Sequence, residues 1–316
     1  MKNINLLFFF FIPVIAFSQG KFSKEISLIT DNDLYVSVNR DRYYTNGLFL
    51  SYRYLKTNTN IVLDKKIFEW QIGHEMFTPY KAVVTDVKDH DRPFAGHFYG
   101  RFGVKNVYKN NTILSFSLQL GIVGPSAFGE ELQEFMHNIY GFKKAIGWKH
   151  QIKNTIGLNL SSSYIHFIST NNDKTFDLIW ESTARAGTIY TDISSGLNVR
   201  VGFIPLQKIM NSIAYQTNLN DKNTRFVREA ESFFYIKPML RYAFYDATLQ
   251  GSLFNDESEV TRDLVPLVFD IEVGLKFTAN RFNFGYTFHY NTSKSENLRY
   301  TYGNKYGTIT VNYLLR

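Results

Sequence analysis

From Leu114 the apolar residues fall on every second position: Leu114, Phe116, Leu118, Leu120 and Ile122, with Ser115, Ser117 and Gln119 between them. The same rhythm runs through Leu267, Phe269, Ile271, Val273 and Leu275, where the intervening set includes Asp270 and Glu272, with Lys276 following. It returns at Phe282, Phe284, Tyr286, Phe288 and Tyr290, separated by Asn283, Gly285, Thr287 and His289. Successive side chains of a strand point to opposite faces, so sustained alternation means one greasy face and one wet one. A soluble antiparallel sandwich also alternates, and length separates the two. These segments are roughly twice the ~5–6 residues of a soluble strand. They match the ~9–11 residues that a tilted strand needs to cross hydrocarbon. The wet face carries acids and amides, as a polar lumen would. Tyr43, Tyr44, Tyr52 and Tyr54, near segment ends, suit interfacial girdles. Closure satisfies every edge group, which lipid demands. The expectation is an all-β chain, a transmembrane antiparallel β-barrel of about 12 strands.

Strands are expected near 25–36, 44–56, 65–76, 94–107, 111–122, 150–167, 174–188, 190–204, 232–246, 264–278, 281–292 and 305–315. An even count returns both ends to the periplasm. The turns at Lys109-Asn110-Asn111 and Thr278-Ala279-Asn280 then lie on the periplasmic side, and the connections 77–93, 123–149, 247–263 and 293–304 lie outside. The segment 205–231 falls on the periplasmic side and is long for a turn.

Residues 1–18 read as a cleaved secretory signal: Lys2, an apolar run from Leu6 to Phe17, and the small-x-small site Ala16-Phe17-Ser18 before Gln19. The barrel then occupies 19–316. Beyond residue 17 no apolar run approaches the ~20 residues of a membrane helix. With no cysteine, disulfide scaffolds, thiol catalysis and Cys-bound zinc are excluded. The formal charge of +7 permits an anionic partner, nucleic acid being only one candidate. For an outer-membrane barrel a lipid partner is expected, and no nucleic acid.

One outside loop keeps a helical period. Over residues 130–140, Phe128, Leu132, Phe135, Met136 and Ile139 recur at i, i+4, i+7, i+8 and i+11, with Ser126 and Gly141 as candidate caps. Such a helix over a barrel rim suggests a built site. Gln133, His137 and Tyr140 form a second, polar stripe on it. Gln133 could fix the tautomer of His137 and leave its other nitrogen to take a proton from water. On position alone, an exposed surface histidine is the commoner reading.

A second cluster is Asp31-Asn32-Asp33, then Arg40-Asp41-Arg42 and Tyr44-Thr45-Asn46-Gly47. Pairing Val36 with Tyr44 sets Asp33 opposite Gly47. Alternation then turns Asp33, Thr45, Gly47 and Ser51 to the interior and Leu48, Leu50, Tyr52 and Tyr54 to lipid. Gathered carboxylate, amide and backbone oxygens suit a hard cation such as Ca²⁺, although no EF-hand spacing is present. A solvated rim of turn residues fits the same spacing. Asp91-Arg92-Pro93-Phe94-Ala95-Gly96 is distinctive, and loop-to-strand punctuation explains it equally well. No G-x-S-x-G elbow, phosphate loop or H-E-x-x-H occurs.

Taken together, Asn32-Asp33, Asp41-Arg42, Tyr44-Thr45-Asn46-Gly47-Leu48, Asp91 to Gly96, Gly121-Ile122-Val123-Gly124-Pro125, Gln133, His137, Gly141, Gly147-Trp148, Gln151 and Asn154 resemble the outer-membrane lipid A 3′-O-deacylase family. Order and spacing match from residue 26 to 155. The resemblance implies a twelve-stranded barrel with its site between the wall and an outside helix. It also implies Ca²⁺-dependent hydrolysis of the 3′-linked acyloxyacyl ester of lipid A. Carried over, His137 is the general base on water. Asp33, with Asn32, holds Ca²⁺, and Thr45 and Gln133 support the site. Arg40, Arg42, Lys143, Lys144 and Lys149 lie where lipopolysaccharide phosphates would sit. Lys143 stands where family enzymes can carry an acid. The last residues, Leu314-Leu315-Arg316, differ from the terminal aromatic that the assembly machinery of the outer membrane commonly meets. A catalytically silent barrel of the same family and an outer-membrane phospholipase with the same His and Ca²⁺ chemistry are the competing readings; a serine nucleophile for the latter would have to be Ser37 or Ser126.

Overall fold

The computed structural model describes residues 21–36, 42–221, 224 and 230–316. Its strands are β1 Lys24–Asn32, β2 Tyr43–Lys56, β3 Leu63–Thr78, β4 Ala95–Tyr108, β5 Thr112–Val123, β6 Thr155–Thr170, β7 Phe176–Gly187, β8 Tyr190–Gly202, β9 Ser232–Asp246, β10 Leu267–Ala279, β11 Phe282–Asn291 and β12 Asn304–Leu315. Each pairs antiparallel with its sequence neighbours, and β12 returns to β1 with Leu315 opposite Lys24. The barrel is closed, so no strand edge is left to solvent or lipid. The expected strands stand within a few residues of these, the widest misplacement being the start of β6. The expected signal segment lies outside the described residues.

Both ends of the described barrel wall lie at one mouth, with the β4–β5 and β10–β11 turns, as an even strand count dictates. The helix α1, Gly129–Tyr140, belongs to the connection at the opposite, extracellular mouth.

The two faces separate as the alternation requires. Ile26, Leu28, Leu48, Leu50, Tyr52, Trp70, Ile72, Leu118, Leu120, Leu158 and Leu160 are exposed on the outside. An apolar band of that extent is what a bilayer covers. Inside, Glu25, Arg53 and Glu69 form a charged chain, with Arg53 Nη1 2.8 Å from Glu25 and its Nε on Glu69. Lys237 pairs with Glu272 at 2.8 Å and Arg241 with Asp270 at 2.9 Å. Charges this enclosed are tolerated because each meets an opposite charge.

The long periplasmic connection folds upward into the barrel. Ile209 and Tyr215 are buried against Val107, Ile113, Ile165 and Ile179 of the wall, Ile213 against Phe233 and Tyr235, and Leu219 against Ile67 and Leu314. Lysines and an arginine of the wall grip its polar groups. Lys65 Nζ donates to the Met210 carbonyl at 2.9 Å and the Thr217 carbonyl at 2.7 Å. Lys105 reaches the Tyr215 carbonyl, and Arg200 donates to Ser212 at 2.6 Å. Length unsuited to a turn is thus explained by a plug. Above it the lumen keeps a cavity of about 420 Å³ open to the extracellular side, lined by Asp31, Glu75, Arg185, Glu272 and His289.

A plugged barrel should not conduct. The full-length protein in planar bilayers is expected to show no steady ionic current, whereas Lys65→Met combined with Lys105→Met should release intermittent openings. A constant open-channel current from the unaltered protein would contradict the plug.

Candidate active site

The site is placed by one extra residue in β2. Tyr44 stands opposite Phe77 and Asn46 opposite Met76, which leaves Thr45 unpaired. Such a bulge interrupts the alternation and re-aims the neighbouring side chains. On the lumenal side Tyr44 donates its hydroxyl to Asp31 at 2.7 Å. Thr45 instead points outward. Its hydroxyl donates to the Met76 carbonyl and to the Thr78 hydroxyl, each at 3.3 Å. Met76 and Thr78 continue the outer series of Trp70, Ile72 and His74 along β3. Asn46 shares that side, and Asn32 opposite it donates Nδ2 to the Asn46 oxygen at 3.0 Å.

The expectation that Thr45 and Asp33 face the interior is therefore corrected. It carried strict alternation through the bulge. The β1–β2 register also differs by two residues, so Asp31 and not Asp33 faces Gly47 and enters the lumen. Strand β1 ends at Asn32, whose side-chain oxygen accepts the Leu34 N–H at 2.7 Å and caps the turn Asp33–Tyr35. The Asp33 carboxylate is buried and accepts the Arg42 N–H at 3.0 Å.

α1 covers the outward polar patch. A methyl group on Gly96, which shares the outer face of β4 with Phe98, would stand 3.0 Å from the Gly129 Cα. Only glycine lets the helix start against the strand backbone. His74 reaches the Ala127 carbonyl at 2.7 Å, and Leu132 packs on a buried cluster of Met76, Phe94, Ala145 and Trp148. The helix buries its polar stripe: Gln133 is 2% and His137 7% exposed, against 60% for Phe135 and 61% for Ile139. The side chain of Tyr140 is not among those described. Gly141 ends the helix as expected, in a left-handed conformation. Ser126 does not cap its start. Phe128 occupies the cap position, and Ser126 is held by Asn154 through its N–H at 2.9 Å.

Burial makes the tautomer of His137 readable. Its Nδ1 lies 2.6 Å from the Lys143 carbonyl, which can only accept, so Nδ1 carries the proton and Nε2 is the basic nitrogen. The Lys143 carbonyl is thus one group that fixes the tautomer, and Gln133 has a further partner in Trp148. Its side-chain oxygen accepts the Trp148 indole N–H at 2.6 Å, which leaves the NH₂ end of the amide directed away from Trp148. The Phe142 ring meets the imidazole edge-on at 5.7 Å.

Among the residues expected to meet phosphate, Arg40 lies outside the described residues. Arg42 is buried, 4.3 Å from the Tyr300 ring centre, with Nη2 donating to the Tyr302 hydroxyl at 2.6 Å. Lys143, Lys144 and Lys149 are exposed, and Lys144 pairs with Glu134 at 3.1 Å.

The Asp91–Gly96 segment is more than punctuation. Asp91 accepts from the Tyr43 hydroxyl at 2.9 Å, the Tyr80 N–H at 2.9 Å and the Arg299 N–H at 3.0 Å, tying its own connection to the start of β2 and to the β11–β12 connection. Arg92 donates to the Thr248 carbonyl at 3.1 Å, and Phe94 packs on Trp148. His90, fully buried, bonds the Asp86 carbonyl at 2.8 Å and lies beside Gly147. Gly147 has φ +126°, and a methyl group there would meet the Val84 carbonyl at 2.6 Å. These contacts hold the 141–151 loop, which supplies both the Lys143 carbonyl and Trp148.

Burial lowers the His90 pKa below its ordinary value of 6.5, so the docked loops hold the neutral ring. Its stabilising contribution is complete above that value and falls as pH drops from about 6.5 toward the lowered pKa. Limited proteolysis of the 82–94 and 141–151 loops should therefore accelerate on acidification. The pH dependence should flatten in His90→Asn, and an unchanged profile would remove His90 from this role.

Comparison with known proteins gives a consistent outline. The family model described as "Outer membrane protein LpxR" matches residues 4–315. Among solved structures, LpxR from Salmonella typhimurium superposes with a TM-score of 0.74 at 19% identity, covering 92% of this chain and 100% of that one. The β domain of the Bordetella autotransporter BrkA reaches a TM-score of 0.47 at 7% identity, covering 93% and 99% of the two chains. No curated protein sequence matches the chain.

Proposed function

Because this chain belongs to the LpxR family of outer membrane proteins, we propose that it is a hydrolase removing the 3′-linked acyloxyacyl chain of lipid A. The observation that carries this reading is His137, buried between α1 and the outer face of the wall, with Nδ1 held by the Lys143 carbonyl. A site on the outer side of an outer-membrane barrel, at its extracellular end, meets the leaflet in which lipid A resides.

His137 Nε2 takes a proton from water as that water attacks the ester carbonyl, and returns it to the departing sugar oxygen when the ester bond breaks. Water as nucleophile needs no serine. Ser126 is engaged with Asn154 near the far end of α1, and Ser37 lies outside the described residues. Gln133 and Thr45 keep α1 and the wall in register through Trp148 and Met76.

The family resemblance implies Ca²⁺, and the donor set fits it. Asn32 and Asp33 offer an amide and a carboxylate oxygen, the hard donors that suit this ion. Among the described residues no three acidic or histidine side chains gather as a metal site. Backbone carbonyls and water would therefore complete the ~6–8 oxygens that Ca²⁺ takes. When bound, the ion polarises the ester carbonyl and stabilises the oxyanion. Exposed Lys143, Lys144 and Lys149 are placed to meet phosphates of the substrate headgroup. Export through the signal segment and insertion by the outer-membrane assembly machinery belong to the same reading.

Mass spectrometry of lipid A from cells with and without the protein tests the activity. Loss of one acyloxyacyl unit is expected. Unchanged lipid A with released lysophospholipid would favour a phospholipase, and neither change a silent barrel. His137→Ala should lower turnover by about 10²–10⁴ while the barrel still assembles. His289→Ala should retain activity, since that ring lies in the lumen, 2.8 Å from Thr308 and stacked on Tyr306.

Chelation should stop turnover of the purified protein, and Ca²⁺ should restore it. Asp33→Ala should raise the Ca²⁺ required. Asp91→Ala should also weaken activity, by loosening the rim, but without rescue by added Ca²⁺. Full activity in chelator would sink the metal-assisted reading.

A further inference from the structure

The four sides of α1 meet four different surroundings. Gln133 and His137 are buried, held by Trp148 and the Lys143 carbonyl. At 100° per residue, Phe128, Phe135 and Ile139 share the opposite side, and all three are exposed. Glu131 and Asn138, also exposed, lie to one flank, next to Glu134 with its Lys144 partner. Leu132 and Met136 lie toward the other flank, partly covered. The loop after the helix adds exposed Phe142 and Ile146.

A monomer in water has no reason to show this apolar stripe on the side away from its own packing. Its position supplies one. α1 starts against Gly96 of β4, and two residues further along the same outer face stands Phe98, an exposed member of the apolar band. Two strand residues span about 7 Å. Ile156, at the extracellular end of β6 and 73% exposed, continues the band beside it. The stripe is thus contiguous with the surface that hydrocarbon covers, and the charged flank of the helix turns away from it.

We propose that α1 is an interfacial helix, with Phe128, Phe135, Ile139, Phe142 and Ile146 buried among the acyl chains of the outer leaflet and Glu131 and Asn138 in the aqueous headgroup layer. Helices with this division of faces lie in the interface plane, their apolar side about 5–10 Å into the headgroup–acyl boundary. The Phe142 ring then touches lipid on one side and the His137 imidazole on the other.

The absence of native cysteine makes the test direct. Single variants Phe135→Cys, Ile139→Cys, Glu131→Cys and Asn138→Cys of the full-length protein carry an environment-sensitive fluorophore. They are reconstituted in phosphatidylcholine vesicles, with or without nitroxide-bearing acyl chains. All four positions are exposed, so labelling leaves the core intact, and heat-modifiable gel mobility verifies each barrel. Labels at 135 and 139 should emit at shorter wavelength and lose most of their intensity to the acyl nitroxide. Labels at 131 and 138 should respond instead to aqueous iodide. An even response at all four positions, to either quencher, overturns the proposal. Enzymatic activity is not read, so the outcome stands whether or not the protein deacylates lipid A.

Discussion

A closed sheet has two faces, and in a membrane each must suit a different solvent. A hydroxyl or amide on the outer face at bilayer level would be stranded among hydrocarbon. The wall can carry polar groups outward only where something covers them. The Thr45 bulge creates such a patch with Asn32, Asn46 and Thr78, and α1 is the cover. α1 buries its polar side and leaves its apolar back exposed. His137 is buried by this arrangement, and the Lys143 carbonyl sets its tautomer.

The lumen follows a different logic. Its acids and bases are enclosed by protein and face one another, and such pairs hold geometry more than they add stability. Removing one partner is what costs, since the other charge is then left without compensation. The plug is held by other cations of the wall. Lys65, Lys105 and Arg200 spend their donors on carbonyl and hydroxyl groups of an irregular segment that could not otherwise satisfy its backbone inside a barrel.

Much of this was legible in the sequence because period-two alternation and helical period are both direct consequences of backbone geometry. The barrel, its strand count, the outside helix and the pairing of Gln133 with His137 on one side all follow from spacing. What was not legible depended on a single residue or on tertiary contact. The bulge at Thr45 leaves no mark in a pattern of Tyr-Thr-Asn-Gly, yet it moves Thr45 from lumen to exterior. Which side of α1 faces the wall cannot be read from an amphipathic stripe when lipid, and not the protein's own core, is available to the apolar side. The plug, with isoleucines spaced among turn residues, carries neither period. Asp91 looked like punctuation because two of its three partners, Tyr43 and Arg299, lie far from it in the chain.

The partner of His137 is a main-chain oxygen, and that separates what varies at position 143 from what acts there. The lysine side chain is exposed. Any residue able to follow the same backbone path presents the same carbonyl, so an acid, a lysine or a neutral residue leaves the imidazole with its proton on the same nitrogen. The sign of the charge at position 143 is thus uncoupled from the hydrogen bond that orients the imidazole.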